Sequence, residues 1–234
     1  MLETLSLDAG GVLVRPNWPR IANVFESHGL IVASESLESA ELKVQRELDC
    51  PSQIGATKDN DRLFLFFSKV LDHAGAAGPT AARDAAMAQL KRIHDEENLW
   101  ERVPDDVVPA LGRFKELGLK LVVLSNANGT VRKKLDRLGM SSWFTHIVDS
   151  GEEQVEKPDP RFFAIGLERA GAQRATTLHV GDLFNVDIVG ARAAGIRAVL
   201  IDRGGLQQDR ECESFADLGE LATAIEQGQL EQNP

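Results

Sequence analysis

Short apolar runs rich in Val, Ile and Leu recur along the chain, each stopped by a small or acidic residue. They fall at Leu2–Leu7, Leu119–Leu124, His146–Val148, Thr177–Val180 and Ala198–Ile201. Their length and β-branched content predict buried strands. Helical spacing fills most of the intervals. Val107, Val108, Leu111, Phe114 and Leu117 form one apolar stripe before Gly118, a candidate C-cap, and Arg161–Ala170 and Asp187–Ala194 repeat the arrangement before Gly171 and Gly195. Strand and helix in alternation predict an α/β fold, a parallel sheet with helices on both faces.

The stretch from Pro16 to Glu101 has a different rhythm. Helical segments at Arg20–His28, Glu38–Leu48, Arg62–His73 and Ala81–Glu97 follow one another, and no strand pattern appears. This predicts an all-helical insertion of about 85 residues after the first strand. The expected organisation is a core of residues 1–15 and 102–234, a helical domain of residues 16–101 and a frayed tail over 227–234. Phe64-Leu65-Phe66-Phe67 is the most apolar part of the insertion and is expected at the centre of its bundle. Phe215–Ile225 reads as a last helix. Trp18, with Arg15 and Asn17, is read either as a linker anchor or as part of a substrate entrance.

Composition narrows the function. The 234 residues hold 26 Lys and Arg against 36 Asp and Glu, a net charge of −10, which excludes a broad basic face for nucleic acid or anionic membrane. A small anionic substrate remains compatible, because a local site can be positive on an acidic protein. Cys50 and Cys212 have neither zinc spacing nor a CxxC motif and are read as free thiols. The first residues lack the basic and apolar regions of a signal peptide, and no run approaches the roughly 18 residues of a membrane span. The expected location is cytoplasmic. The sequence sets no oligomeric state.

Four short segments follow predicted strands, where open α/β sheets bind ligands. They are Asp8-Ala9-Gly10-Gly11, Ser125-Asn126, Lys157-Pro158, and Gly181-Asp182 with Asp187. Each alone is unremarkable, since an Asp at a strand end is usually a turn former. In this order and at these separations they resemble the motifs of the haloacid dehalogenase (HAD) superfamily of hydrolases. Val180-Gly181-Asp182, Asp187 and Gly190-Ala191-Arg192-Ala193-Ala194-Gly195 give the most specific part of the match. The resemblance implies a Rossmann-like three-layer core, with the helical insertion as a C1-type cap.

For a phosphohydrolase of that superfamily, the resemblance makes Asp8 the nucleophile that forms an aspartyl-phosphate. It makes Asp8, Asp182 and the Gly10 carbonyl ligands of Mg²⁺, a cation that needs few protein oxygens. Asp187 then holds metal-bound water or orients Lys157. Ser125 and Asn126 bind the phosphoryl group, and Lys157 neutralises it. The expected substrate is a small phosphorylated molecule. One position departs from the pattern: the superfamily's phosphatases carry a second Asp, the proton donor, where this chain has Gly10. Gly retains a carbonyl for a metal but supplies no acid, a loss worth about 10²–10⁴ in rate that falls on poor leaving groups. Two other readings follow from Gly10: a metal-independent 2-haloacid dehalogenase, and a weak or inactive binding module. A phosphonatase needs a cap lysine placed by a motif, and Lys43, Lys58, Lys69 and Lys91 read instead as solvated charges. The five histidines lack the spacing of a transition-metal site, and His179 is read as a strand residue.

Overall fold

The computed structural model describes residues 1–52 and 59–230. Eight strands are found among them: β1 (Thr4–Leu7), β2 (Arg15–Pro16), β3 (Trp100–Arg102), β4 (Lys120–Ser125), β5 (His146–Asp149), β6 (Thr177–Gly181), β7 (Arg197–Ile201) and β8 (Ser214–Phe215). The chain divides into two compact units, Met1–Val14 with Val103–Pro234, and Arg15–Arg102.

In the first unit six strands form one parallel sheet in the order β5-β4-β1-β6-β7-β8. Residues of β1 and β6 are buried throughout, polar Thr4, Ser6, Thr177 and His179 included, so neither strand has a solvent-facing side. Val122, Leu124 and Val148 pack against Phe162, Phe163 and Leu167 of helix Pro160–Ala170. That helix lies close to the sheet because residue 166 is Gly: a Cβ there would stand 2.2 Å from Leu124 Cδ2. Helices Val107–Glu116 and Leu218–Glu226 are tied through Arg113 and Glu226. Gly118 takes the left-handed conformation, φ +76°, after the first of these, as its predicted capping role requires.

Register sets the ends of the strands level. Leu7 stands opposite Val123 on one side and Val180 on the other. The chain runs outward from β1 through β4 to β5, and on the other side through β6 and β7 to β8. β1 therefore lies at the point where strand order reverses, and its carboxyl end opens between two diverging connections.

The second unit is helical, with helices Trp18–Ser27, Ser34–Leu48, Asp59–His73 and Thr80–Glu97. Trp18, Ile21, Phe25, Leu37, Val44, Phe66, Phe67 and Leu90 belong to its core. Phe66 and Phe67 lie within it, 6.2 and 6.0 Å from the Trp18 ring, whereas Phe64 lies only half-buried beneath Lys91 Nζ. Glu41 is fully buried, and its Oε2 accepts from Arg15 Nη2 at 2.6 Å and Trp18 Nε1 at 2.7 Å. Arg15 also meets the more exposed Glu38. Asn17 caps the first helix, accepting from the Arg20 N–H, and donates to Glu101. Arg15, Asn17 and Trp18 are thus engaged inside this unit.

Several elements differ from the sequence reading. β2 and β3 form a two-stranded antiparallel ribbon, Pro16 opposite Trp100, in a stretch expected to hold only helices. Strands of two and three residues carry no readable period. The segment expected to begin the last helix at Phe215 is instead β8, and the helix starts at Leu218. Asp217 caps the helix by accepting from the Glu220 N–H, and Glu220 accepts from the Ala216 N–H just before the cap, which together mark the true start. Residues 227–230 were expected to fray, yet Leu230 is buried and the Gln229 N–H reaches the Ala224 carbonyl. The rest of that tail, 231–234, and Lys58 lie outside the described residues. Cys50 and Cys212 are free, and among the described residues no helix is long and apolar enough to cross a membrane.

Removing one partner of a buried ion pair costs more than removing an exposed one. Glu41→Ala leaves Arg15 and the Trp18 indole N–H without their acceptor and is expected to destabilise the protein by about 3 kcal/mol. Glu38→Ala is expected to cost about 0–1 kcal/mol. Urea unfolding of the two variants measures the difference.

Candidate active site

Asp8 is the first residue beyond β1, and its N–H donates to the Val180 carbonyl, so strand pairing itself places it at the mouth of the switch point. The chain then turns tightly. The Ala9 carbonyl accepts from both Leu13 and Val14, and the Gly11 N–H donates to the Val14 carbonyl. Gly11 has φ +72°, and a Cβ on it would stand 1.9 Å from Asp182 Oδ2. Glycine here serves two needs: a left-handed turn and room for the carboxylate arriving from β6.

Lys157 is fully buried, and its Nζ stands 2.9 Å from Asp8 Oδ1 and 2.7 Å from Asp187 Oδ1. Asp187 is saturated by its surroundings. Its Oδ1 also meets His179 Nε2 at 3.3 Å, while Oδ2 accepts from the N–H groups of Asp182 and Leu183 at 3.2 and 3.0 Å. Burial alone would raise its pKa, but Lys157 and His179 outweigh that and hold it well below the usual carboxylate range. Burial likewise works against the Lys157 cation, and Asp187 and Asp8 more than offset it, holding the ammonium above its ordinary value. Asp8 is the strained member. Burial, with the Asp187 charge adding to it, pushes its carboxyl up to about 7 despite Lys157.

His179 is a site residue that strand patterning hid. Its Nδ1 is 2.9 Å from Ser6 Oγ, and Phe163 packs edge-on at 5.0 Å. A carboxylate can only accept, so Nε2 carries the proton toward Asp187 and Nδ1 accepts from Ser6. Burial lowers the pKa of this ring and keeps it neutral. The signal available in sequence was a polar residue in an otherwise apolar strand. Asp187 also alters its local helix: the predicted single helix Asp187–Ala194 is a π-helical turn, Phe184–Ile188, followed by Val189–Ala193. Such wide turns recur where a side chain must be presented at a site. Gly181 and Gly190 make it possible, since a Cβ on the first would strike Asp187 Cβ at 2.2 Å, and one on the second would lie 2.9 Å from Pro158 Cα.

Ser125 ends β4 and is buried. Asn126 also holds the lysine backbone. Its Nδ2 donates to the Lys157 carbonyl at 2.9 Å and its Oδ1 accepts from the Lys157 N–H at 2.8 Å. The carboxamide is therefore spent on fixing the lysine backbone. The following loop is held by Asp149, which accepts from the N–H groups of Gly129 and Val131, and by Ser150, whose Oγ accepts from the Ala127 N–H. Neither residue stood out in the sequence.

The donor set suits a hard divalent cation. Oxygen atoms of Asp8, Asp182 and Asp187 lie within 4.8 Å of one another. With these ionised, three carboxylates face a single ammonium, an excess of two negative charges in a buried site. Asp187 is engaged by Lys157, His179 and two backbone N–H groups, so Asp8 and Asp182 are the carboxylates that could ligate a cation. Within the turn, the Ala9 carbonyl is occupied, whereas the Gly10 carbonyl accepts no hydrogen bond among the described residues. Two carboxylates and one carbonyl, all oxygen, match magnesium better than a softer metal.

Gly11→Ala is expected to cost more than the about 1–3 kcal/mol of left-handed backbone strain alone, because Asp182 must also move. Gly118→Ala, whose Cβ meets nothing within 4 Å, isolates the strain. Urea unfolding of both variants gives the comparison.

Phosphoserine phosphatase of Thermus thermophilus is 34% identical over 156 residues, 66% of this chain and 60% of that protein. Glyceraldehyde 3-phosphate phosphatase of Methanopyrus kandleri is 36% identical over 121 residues, 51% of this chain and 52% of that protein. The chain thus spans about half to three-fifths of the length of these curated relatives. The L-2-haloacid dehalogenase RSc1362 shares the fold, with a TM-score of 0.64 at 21% identity over 96% of this chain and 99% of that one. A common fold therefore leaves the chemistry to the site. Residues 2–195 match the haloacid dehalogenase-like hydrolases, and the chain belongs to that family.

Proposed function

We propose that this protein is a Mg²⁺-dependent phosphohydrolase acting on a small phosphorylated metabolite in the cytoplasm, with no role for nucleic acid or membrane. One observation carries the reading: a carboxylate held by one oxygen, beside an excess of negative charge that a divalent cation relieves. Asp8 Oδ1 is engaged by Lys157 Nζ and by the Ala9 N–H at 2.7 Å, and no hydrogen bond to Oδ2 is found among the described residues. The engaged oxygen fixes the carboxylate and the free one is the nucleophile. The two relatives named above are phosphatases of different substrates, which supports the reaction class and leaves the substrate open.

In the first step Asp8 Oδ2 attacks phosphorus in line with the leaving oxygen. The bond to that oxygen breaks, the electron pair leaves with it, and an aspartyl-phosphate forms. Water then adds to phosphorus, releases its proton to solvent, and the bond to Asp8 breaks to give phosphate and the restored carboxylate. Lys157 stabilises the negative charge that gathers on the phosphoryl oxygens, and Ser125 donates a hydrogen bond to one of them. Asp187 and Asn126 act through Lys157, one on its ammonium and the other on its backbone. Mg²⁺, when held by Asp8, Asp182 and the Gly10 carbonyl, neutralises the charge between nucleophile and substrate. The helical unit Arg15–Arg102 takes the part of a cap that selects the substrate and excludes water.

Gly10 gives no proton to the leaving oxygen, so phosphates with acidic leaving groups are the favoured substrates. A 2-haloacid dehalogenase also needs no acid there. The carboxylate surplus weighs against it, because a haloacid brings its own negative charge to the same place.

Three measurements test the reading. Native protein is expected to hydrolyse p-nitrophenyl phosphate with Mg²⁺ and to lose that activity in EDTA and in Asp8→Asn. A simple alkyl phosphate is expected to react far more slowly. Gly10 lies outside the left-handed region, so Gly10→Asp is tolerated by the backbone, and it is expected to raise alkyl phosphate turnover by about 10². Turnover of haloacids without metal, or of nothing in a broad phosphate panel, overturns the proposal in favour of the dehalogenase or the binding module.

Metal and pH are linked through Asp8. Its pKa rises from 3.8 to about 7 on folding, so the metal-free native state holds a proton that the unfolded chain has released. That contribution to stability is complete below pH 3.8 and is lost as pH rises through 7. Saturating Mg²⁺, which binds the ionised carboxylate, is therefore expected to raise the melting temperature more at pH 8 than at pH 5. Equal shifts at both values contradict the ligand assignment of Asp8.

A further inference from the structure

Two loops carry the proposed cation ligands, residues 8–14 with Asp8 and Gly10, and the segment after β6 with Asp182. A third loop, following β7, bonds to both. Arg203 donates from Nε to the Gly11 carbonyl at 3.3 Å and from Nη2 to the Val12 carbonyl at 3.2 Å. Nη1 and the same Nη2 meet the two oxygens of Asp106, at 2.9 and 3.1 Å. Asp106 also accepts from the Leu218 N–H, so the clamp is anchored to the start of helix Leu218–Glu226. Four residues on, Gln207 donates from Nε2 to the Asp182 carbonyl at 3.0 Å. Asp202 fixes that glutamine, accepting from the Leu206 and Gln207 N–H groups at 3.0 and 2.8 Å.

The clamp decides which carbonyl faces the cation. Arg203 occupies the carbonyls of Gly11 and Val12, and the Leu13 and Val14 N–H groups occupy that of Ala9. Of the four carbonyls from Ala9 to Val12, only that of Gly10 is left without a donor among the described residues. A second observation points the same way. Gln207 Oε1 is buried and has no hydrogen-bond partner among the described residues. The amide orientation is fixed, since only Nε2 can donate to the Asp182 carbonyl. A buried acceptor beside Asp182 lacks the donor that water around a hydrated cation provides.

We propose that Arg203 and Gln207 are positioning residues of the cation site, setting the Asp8–Gly10 turn and the Asp182 loop at ligating separation through their backbone carbonyls. The inference rests on the phosphohydrolase reading only in requiring a divalent cation. Neither residue belongs to the four motifs that reveal the family.

Calorimetric titration with Mg²⁺ alone, independent of turnover, tests it. Native protein, Arg203→Lys, Gln207→Leu, Asp182→Asn and Arg113→Gln are compared, with circular dichroism and melting temperature recorded for each. Lys is a point donor that cannot span two carbonyls and Asp106. Arg203→Lys and Gln207→Leu are each expected to weaken Mg²⁺ binding by about 10- to 100-fold while remaining folded. Asp182→Asn is expected to abolish binding, and Arg113→Gln, which breaks the distant pair with Glu226, to leave it unchanged. A purely structural clamp lowers melting temperature and leaves the affinity of the folded protein at its native value, and that result overturns the proposal. Should Arg203→Lys fail to fold, Gln207→Leu decides alone. No Mg²⁺ binding by native protein overturns both this inference and the metal-dependent reading. Weakened binding in the variants, without hydrolysis of any phosphate by native protein, sustains the inference while the phosphohydrolase reading falls.

Discussion

A lysine ammonium sealed from water is tolerated only where opposite charge meets it on arrival. Lys157 is such a residue, with Asp8 on one side and Asp187 on the other. An unpaired buried lysine loses its proton, because desolvation can move its pKa by up to 3–5 units. Here the two carboxylates hold the cation instead, so β1, β6 and the Lys157 loop must each be in register. A slip of one residue in β1 would turn Asp8 to the opposite face of the sheet. The charge cluster thus constrains the fold as strictly as the apolar core does.

Close approach is the second constraint. Asp182 fits because residue 11 lacks a Cβ, Asp187 because residue 181 lacks one, and the helix carrying Gly190 packs onto Pro158 for the same reason. The spacing of these small residues is a steric record of three chain segments meeting at the mouth of one strand. That explains why the segment around Asp182 is the most specific part of the sequence match. Any Gly or any Asp alone is common, whereas a Gly placed against each incoming carboxylate is not.

The parallel sheet was legible in the sequence because its strands are buried on both faces and read as apolar runs. The larger helices were legible from their stripes and terminal glycines. Asp8, Asp182, Asp187 and Lys157 were legible as a set, and the structure gathers them into one cluster. Other features depend on partners far away in sequence. β2 finds β3 across some eighty residues, and neither has the length to show a period. Arg203 reaches Gly11 and Val12 from near the other end of the chain. Asn126 was placed at the phosphoryl group by the family resemblance, and its pairing with the Lys157 peptide at both ends had no local signal. Local pattern shows which side chains are polar, and tertiary pairing decides how each is spent.

Charge ties the cation and the substrate together. Without a cation, the carboxylates of the site repel an incoming phosphate, and burial pushes Asp8 toward its neutral form, which is a poor nucleophile. A divalent ion held there would offset the excess of two negative charges and favour the ionised carboxylate at neutral pH. Lys157 cannot supply this neutralisation alone, because its charge is already shared between Asp8 and Asp187. The phosphoryl group then meets a site close to neutral rather than one strongly positive. In the proposed reaction, substrate binding would then draw on directed hydrogen bonds such as that from Ser125, not on bulk attraction. In such a site the leaving oxygen receives little help beyond that charge balance. In the proposed reaction Gly10 would therefore shift the burden of bond cleavage onto the acidity of the leaving group itself.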